Sequence, residues 1–343
     1  MKSSLQKNLY GYIICIIVGI FIPLVYPSFV VQFAFAWLFI VMALTWDLQG
    51  GQMGYNSFGN IVFFGIGMYT CVVLQIIPFF SLAEWSEGGG EKTFTHTNAQ
   101  YFRGLLLGIL ASGFAASLIA AVLGSLILRM RGHYFAICTL ALGVAVGEMV
   151  SGIEILGGGS GISVPVWPEA AGSIDNRNLL FYYLALGLFA LCFLILQLLL
   201  RTTFGGTLNA IRDDEDKAEA MGIAVVKYKI LGWVISAFFL GFAGAITGNM
   251  VGFIDPIDVA FAGATYGVWM ILMVIMGGKG TLWGPVIGAL IFHVFQELFW
   301  TYLLGWQRVA LGALIVIIVV FFPKGILGYF QTRSQVKNLS RST

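Results

Sequence analysis

Asp47, Glu148, His293 and Glu297 each stand inside a long apolar run of this sequence. Placing a charge in hydrocarbon costs about 2.5–3.5 kcal/mol on insertion scales, so such residues are expected to line a polar path or to pair with a backbone donor. Glu148 and Glu297 fall in the outer halves of their runs and are candidates for path lining. Asp47 closes the inner end of its run, where it is expected to reach water, and His293 reads as a hydrogen-bonded packing residue. A second polar constellation, Gln52, Gly54, Asn56, Ser57, Gly59 and Asn60, crowds a very short connection between two apolar runs. Glycines and amides at that density predict a broken, non-helical stretch, and irregular backbone at membrane depth is tolerated only where it is enclosed by protein or faces a cavity.

The signatures of other chemistries do not assemble. The turn Gly277-Gly278-Lys279-Gly280 lacks the spacing and the hydroxyl residue of a phosphate-binding loop, so any ATP used must be bound by another chain. No cofactor is expected on this chain. His96, His133 and His293 are far apart in sequence and argue against a metal site. Cys15, Cys71, Cys138 and Cys192 lie in apolar runs with neither a disulfide framework nor zinc spacing. No nucleophile, base and orienting group gather in one segment, and the sequence offers no enzymatic site.

The elements that must position these residues follow from composition. The chain has 343 residues, 59% hydrophobic and 10% charged, with a mean hydropathy of +0.92, which places it in a lipid bilayer rather than in water. A net charge of +2 without a basic face excludes nucleic acid as a partner. A helix needs about 20 apolar residues to cross the hydrocarbon core. Ten such runs occur, at 9–26, 29–48, 61–80, 102–128, 134–153, 179–200, 230–253, 259–276, 282–300 and 308–322. With the N-terminus inside, only Lys92, Arg103, Arg177 and Arg308 of the 18 Lys and Arg fall outside, as the positive-inside tendency requires. Both termini are then cytoplasmic, and residues 324–343 form a cytoplasmic tail.

Ten runs divide into two sets of five of opposite orientation, a first half of about 1–153 and a second of about 179–322. The expected fold is a single all-α polytopic membrane domain, 1–343, with inverted five-helix halves. The polar stretch 49–60 before the third run has a counterpart in 253–263 before the eighth. For the second stretch, an ordinary loop fits as well as a broken helix. Small residues at four-residue spacing, such as Gly104 and Gly108, Gly143 and Gly147, and Gly244, Gly248 and Gly252, predict close helix approach.

The longest inner loop, 201–229, predicts a short amphipathic helix. Leu208, Ile211, Ala218 and Met221 fall near one face, while Arg212, Asp213, Asp214, Asp216, Lys217 and Glu219 hold most of the rest. Gly222 is placed to end it. A helix of about 15 residues is marginal alone in water, so something must pack against it: this chain's own surface or a partner that pushes on the bundle.

The run Phe204-Gly205-Gly206-Thr207-Leu208-Asn209-Ala210-Ile211-Arg212-Asp213-Asp214-Glu215, continuing through Ala218, Met221, Gly222 and Ile223, resembles the coupling loop of permease subunits in branched-chain amino acid ABC importers. Gly51, Gly54, Ser57, Gly59, Phe63, Phe64, Gly65 and Gly67 resemble that family's glycine-rich approach to its third helix. Arg131-Gly132, Tyr134-Phe135-Ala136, Gly157-Gly158-Gly159-Ser160-Gly161, Trp283-Gly284-Pro285 and Phe322-Pro323-Lys324-Gly325 follow in the family's order. Departures occur at Tyr55, Asn56 and Asn60, within the expected path segment.

The resemblance implies a permease subunit moving branched-chain amino acids or a related small polar metabolite across a bacterial inner membrane. It implies Gly205, Leu208, Ala210, Ile211, Arg212, Asp213, Asp214, Glu215, Ala218, Met221 and Gly222 as the ATPase-coupling segment. It also implies a second permease, two ATP-binding subunits and an extracytoplasmic binding protein as partners. A proton-coupled secondary transporter would use Glu148 and Glu297 and leave the charged loop idle, and family relatives that carry urea or amides keep the substrate open.

Overall fold

The computed structural model describes residues 2–87, 95–303, 305–321 and 325. Lys92 and the tail 324–343, apart from Gly325, lie outside the described residues, as do Phe322 and Pro323. Each of the ten apolar runs contains an α-helix: α1 (Lys2–Val25), α2 (Val30–Asp47), α3 (Ile61–Ile76), α5 (Asn98–Ile127), α6 (His133–Ser151), α7 (Ile174–Leu199), α10 (Val225–Val251), α11 (Val268–Gly277), α12 (Trp283–Tyr302) and α13 (Gln307–Phe321). The short α4 (Leu82–Glu87) follows α3, and α8 (Thr203–Asp213) and α9 (Glu215–Ala220) lie in the 201–229 loop. Among the described residues, six helical stretches are long and apolar enough to cross a membrane: Pro27–Gln52, Asn98–Ile127, His133–Ser151, Ile174–Leu199, Val225–Val251 and Pro256–Gly277.

α2 and α10 form the centre. Both are apolar around most of their circumference, and 67% of each apolar window is buried, against 22% for α6 at the periphery. Close packing of α3, α5 and α10 depends on glycine at the contacts. A Cβ on Gly67 would lie 2.1 Å from the Gly241 carbonyl oxygen, and one on Gly244 would lie 2.0 Å from that of Phe64. Gly108 meets the Cys71 carbonyl in the same way. Helix backbones without side chains between them gain dispersion contacts that lipid cannot match. In the second half, Gly277 of α11 abuts the Gly284 carbonyl of α12.

The chain leaves regular α-helix in both polar stretches. α2 runs into a π turn, Leu48–Gln52, and the chain stays irregular up to Asn60. After α10 comes a two-residue strand, β2 (Phe253–Ile254), paired antiparallel with β1 (Ile162–Ser163) of the glycine loop, Ile162 opposite Ile254. Two π turns follow, Pro256–Ala260 and Gly263–Gly267. Asp255 starts the first, its carboxylate accepting from the amides of Ile257 at 2.8 Å and Asp258 at 2.6 Å. This second break is longer than the stretch 253–263 and leaves α11 only ten residues of regular helix.

Candidate functional site

The charged loop folds as two helices where the sequence suggests one. Asp214 is extended, with φ −163° and ψ 106°, and its carboxylate caps α9 by accepting from the Lys217 amide at 3.0 Å. A capping aspartate competes with the helical backbone for its own hydrogen bonds, which ends α8 at Asp213. Lys217 also pairs with Asp214 at 2.9 Å and holds that carboxyl below the usual carboxylate range. Gly222, at φ +85°, ends the segment as expected.

The apolar face of this pair turns toward its own bundle. Gly205, Leu208, Ile211 and Ala218 are buried, with Leu208 packed into the hydrophobic core. Met221 departs from the expected face and is 84% exposed. Arg212, Asp213, Asp216, Lys217, Glu219 and Gly222 are also exposed, while Ala210, Asp214 and Glu215 are half-buried. What remains open to a partner is therefore the charged surface together with Met221.

Beneath α9 lies an ion cluster that no sequence motif announces. Lys229, in the second turn of α10, is fully buried, and its ammonium donates to the Tyr55 hydroxyl and to Glu215 Oε1, each at 2.5 Å. Tyr55 in turn donates to Glu215 Oε2. Arg131 reaches Glu215 at 3.3 Å and pairs with Asp216 and Glu219. Such a cluster satisfies a buried cation whose desolvation would otherwise cost several kcal/mol.

Nearby, Gly54 takes φ +81°, and a Cβ there would meet Arg212 Cγ at 2.9 Å. Asp47 is buried, accepting from the Gly280 amide at 2.7 Å, so it ties α2 to the α11–α12 turn instead of reaching water. A free backbone donor in that turn supplies the partner that a buried carboxylate needs.

The polar stretch before α3 is largely packed inside the bundle. Gln52, Ser57, Gly59 and Asn60 are buried, whereas Gly54 and Asn56 are exposed. Trp46 Nε1 donates to the Ser57 carbonyl at 2.7 Å, Trp233 Nε1 to Asn60 Oδ1 at 3.1 Å, and the Phe58 amide to Thr139 Oγ1 at 3.1 Å. A Cβ on Gly59 would come within 2.7 Å of the Thr139 carbonyl on α6. The bonds at the Ser57 carbonyl and the Phe58 amide satisfy irregular backbone inside the bundle.

A cavity of about 860 Å³ lies between α6, the second break and α13. Glu148 lines it, with Asp258, Thr265, Trp269, Gly143 and Phe58 among its walls. Of the residues predicted to line a path, Glu148 alone is on this cavity. Glu297 is half-buried on α12, and His293 is buried with its ring edge-on to Phe39. Among the described residues no group of three or more His, Cys, Asp or Glu is placed to hold a metal ion.

Residues 29–319 match the model of a family described as branched-chain amino acid transport system / permease component. This chain belongs to that family. Among its family relatives is the high-affinity branched-chain amino acid transport system permease protein LivM of Escherichia coli, 28% identical over 89% of this chain and 75% of the relative. A probable LivM permease of Methanocaldococcus jannaschii is 26% identical over 84% of this chain and 90% of its own length. The LivH permease protein of Salmonella typhimurium is 30% identical over 40% of this chain and 44% of the relative. No solved structure matches the chain.

Proposed function

We propose that this chain is the permease subunit of an ABC importer and moves branched-chain amino acids, or a related small polar metabolite, into the cytoplasm. The observation that carries the reading is the family match over residues 29–319. The docked α8–α9 pair supports it, since a charged surface fixed to the bundle gives a separate motor something to push. The chain works without an ATP site of its own, and hydrolysis takes place on two ATP-binding subunits. A second, homologous permease completes the membrane part, in keeping with the likeness to both LivM and LivH proteins. An extracytoplasmic binding protein delivers the solute. The ten helices span a bacterial inner membrane with both termini cytoplasmic, and α8–α9 faces the cytoplasm.

The test is leucine uptake by proteoliposomes holding the permease pair, the ATP-binding subunits and the binding protein. Uptake should require ATP and persist when a protonophore collapses the proton gradient. Protonophore-sensitive uptake without ATP would overturn the reading in favour of a proton-coupled transporter. Inhibition by urea or short amides, with none by leucine, would move the substrate class.

A further inference from the structure

Glu215 is the first residue of α9, and both of its carboxylate oxygens are engaged by other elements. Oε1 takes the Lys229 ammonium of α10 and the Arg131 guanidinium that precedes α6; Oε2 takes the Tyr55 hydroxyl. Lys229 alone balances the charge of Glu215, and Arg131 is shared with Asp216 and Glu219. The phenol is not needed for neutrality. What it adds is a mechanical tie, because Tyr55 is the only member of the cluster on the irregular segment between α2 and α3.

Tyr55 is itself firmly placed. Its amide donates to the Gln49 carbonyl at 2.9 Å, joining it to the π turn. Its ring lies edge-on to Phe135 with centroids 5.2 Å apart, and the Lys229 ammonium is 4.0 Å from its centroid. On the other side of Gly54, Arg212 of α8 leans on the same segment. Residues on both sides of the Asp214 break therefore hold the segment: Arg212 at Gly54 and Glu215 at Tyr55. The helical hydrogen bonds are interrupted between those two grips, at the extended Asp214.

We propose that the Tyr55 hydroxyl is the positioning group through which movement of α9 reaches the non-helical segment between α2 and α3. The inference rests on the proposed function, in which a partner moves α8–α9. Rigid coupling through a charge-assisted hydrogen bond transmits a displacement that loose packing would absorb.

The test uses the reconstituted importer with leucine as substrate. At equal amounts of assembled complex, Tyr55→Phe keeps the ring and removes the hydroxyl, and with it the tie to Glu215 and one acceptor of the Lys229 ammonium. Uptake per ATP hydrolysed should fall about tenfold, the effect of losing one hydrogen bond to a charged partner. A purely structural role would lower the amount of assembled complex and leave that ratio unchanged. Glu215→Gln should lower the ratio similarly, and the double variant should be no worse than either single one. A fluorophore on Asn56→Cys, an exposed neighbour, should change emission on ATP addition in the parent and not when Tyr55→Phe is added.

An unchanged ratio in Tyr55→Phe, or additive losses in the double variant, would overturn the inference alone. Failure of the unsubstituted complex to import leucine with ATP would overturn the proposed function and the inference with it.

Discussion

Lys229 shows how one buried cation constrains its surroundings. Nothing in the sequence singles it out from Lys227, two positions earlier, because its partners come from residues 55 and 215 and meet only in the folded chain. Glu215→Ala strands the ammonium, and truncating one partner of a buried pair costs about 3–5 kcal/mol. The variant should melt earlier in detergent and assemble poorly. Lys217→Ala, with its side chain 83% exposed, should melt close to the parent in the same assay. Asp47 teaches the same lesson in reverse: its place near the end of a run suggested water, while the Gly280 amide that claims it lies far along the chain. Glu148 was legible as a path candidate because a carboxylate in an apolar run is rare enough to mark itself. The burial of Ser57 and Asn60 was not legible, since a polar side chain reads the same whether it faces a cavity or caps a tryptophan.

Among the elements, α8–α9 gave away its amphipathic character through apolar spacing but concealed the break, because Leu208, Ile211 and Ala218 keep helical period across Asp214. Its docking changes what substitutions there should do. Ile211, 2% exposed, packs on its own bundle, so Ile211→Asp should increase proteolysis of residues 201–229 in the isolated permease. Met221→Asp should leave that proteolysis unchanged and lower co-purification of the ATP-binding subunits; unchanged co-purification would remove Met221 from the contact surface. The glycine stripes predicted close approach without saying between which helices. Gly244→Val must push α3 from α10 and should lower the yield of folded protein several-fold, by about 1–3 kcal/mol for overpacking. Gly187→Val on α7 meets nothing within 4 Å and should insert normally.

At the scale of the molecule, the apolar runs located every long helix, because twenty apolar residues have few other solutions. The second break was legible only in part: Pro256 and Gly263 mark its start, but the continuation through Thr265 to Gly267 lies in a run apolar enough to pass for helix. Reporter fusions at Asn176 and Asp216 should fall on opposite faces, the first outside and the second in the cytoplasm. A shared face would dismantle the ten-span arrangement. The pairing of β1 with β2 has a consequence for timing. It fastens the glycine loop to the head of the second break with the few hydrogen bonds of a two-residue ladder, while the neighbouring α10 is held by an uninterrupted helical array. Deuterium should therefore enter the amides of Ile162, Val164 and Ile254 orders of magnitude sooner than those in the middle of α10. Exchange on that timescale would mean a clasp that opens and recloses many times within the lifetime of the folded bundle.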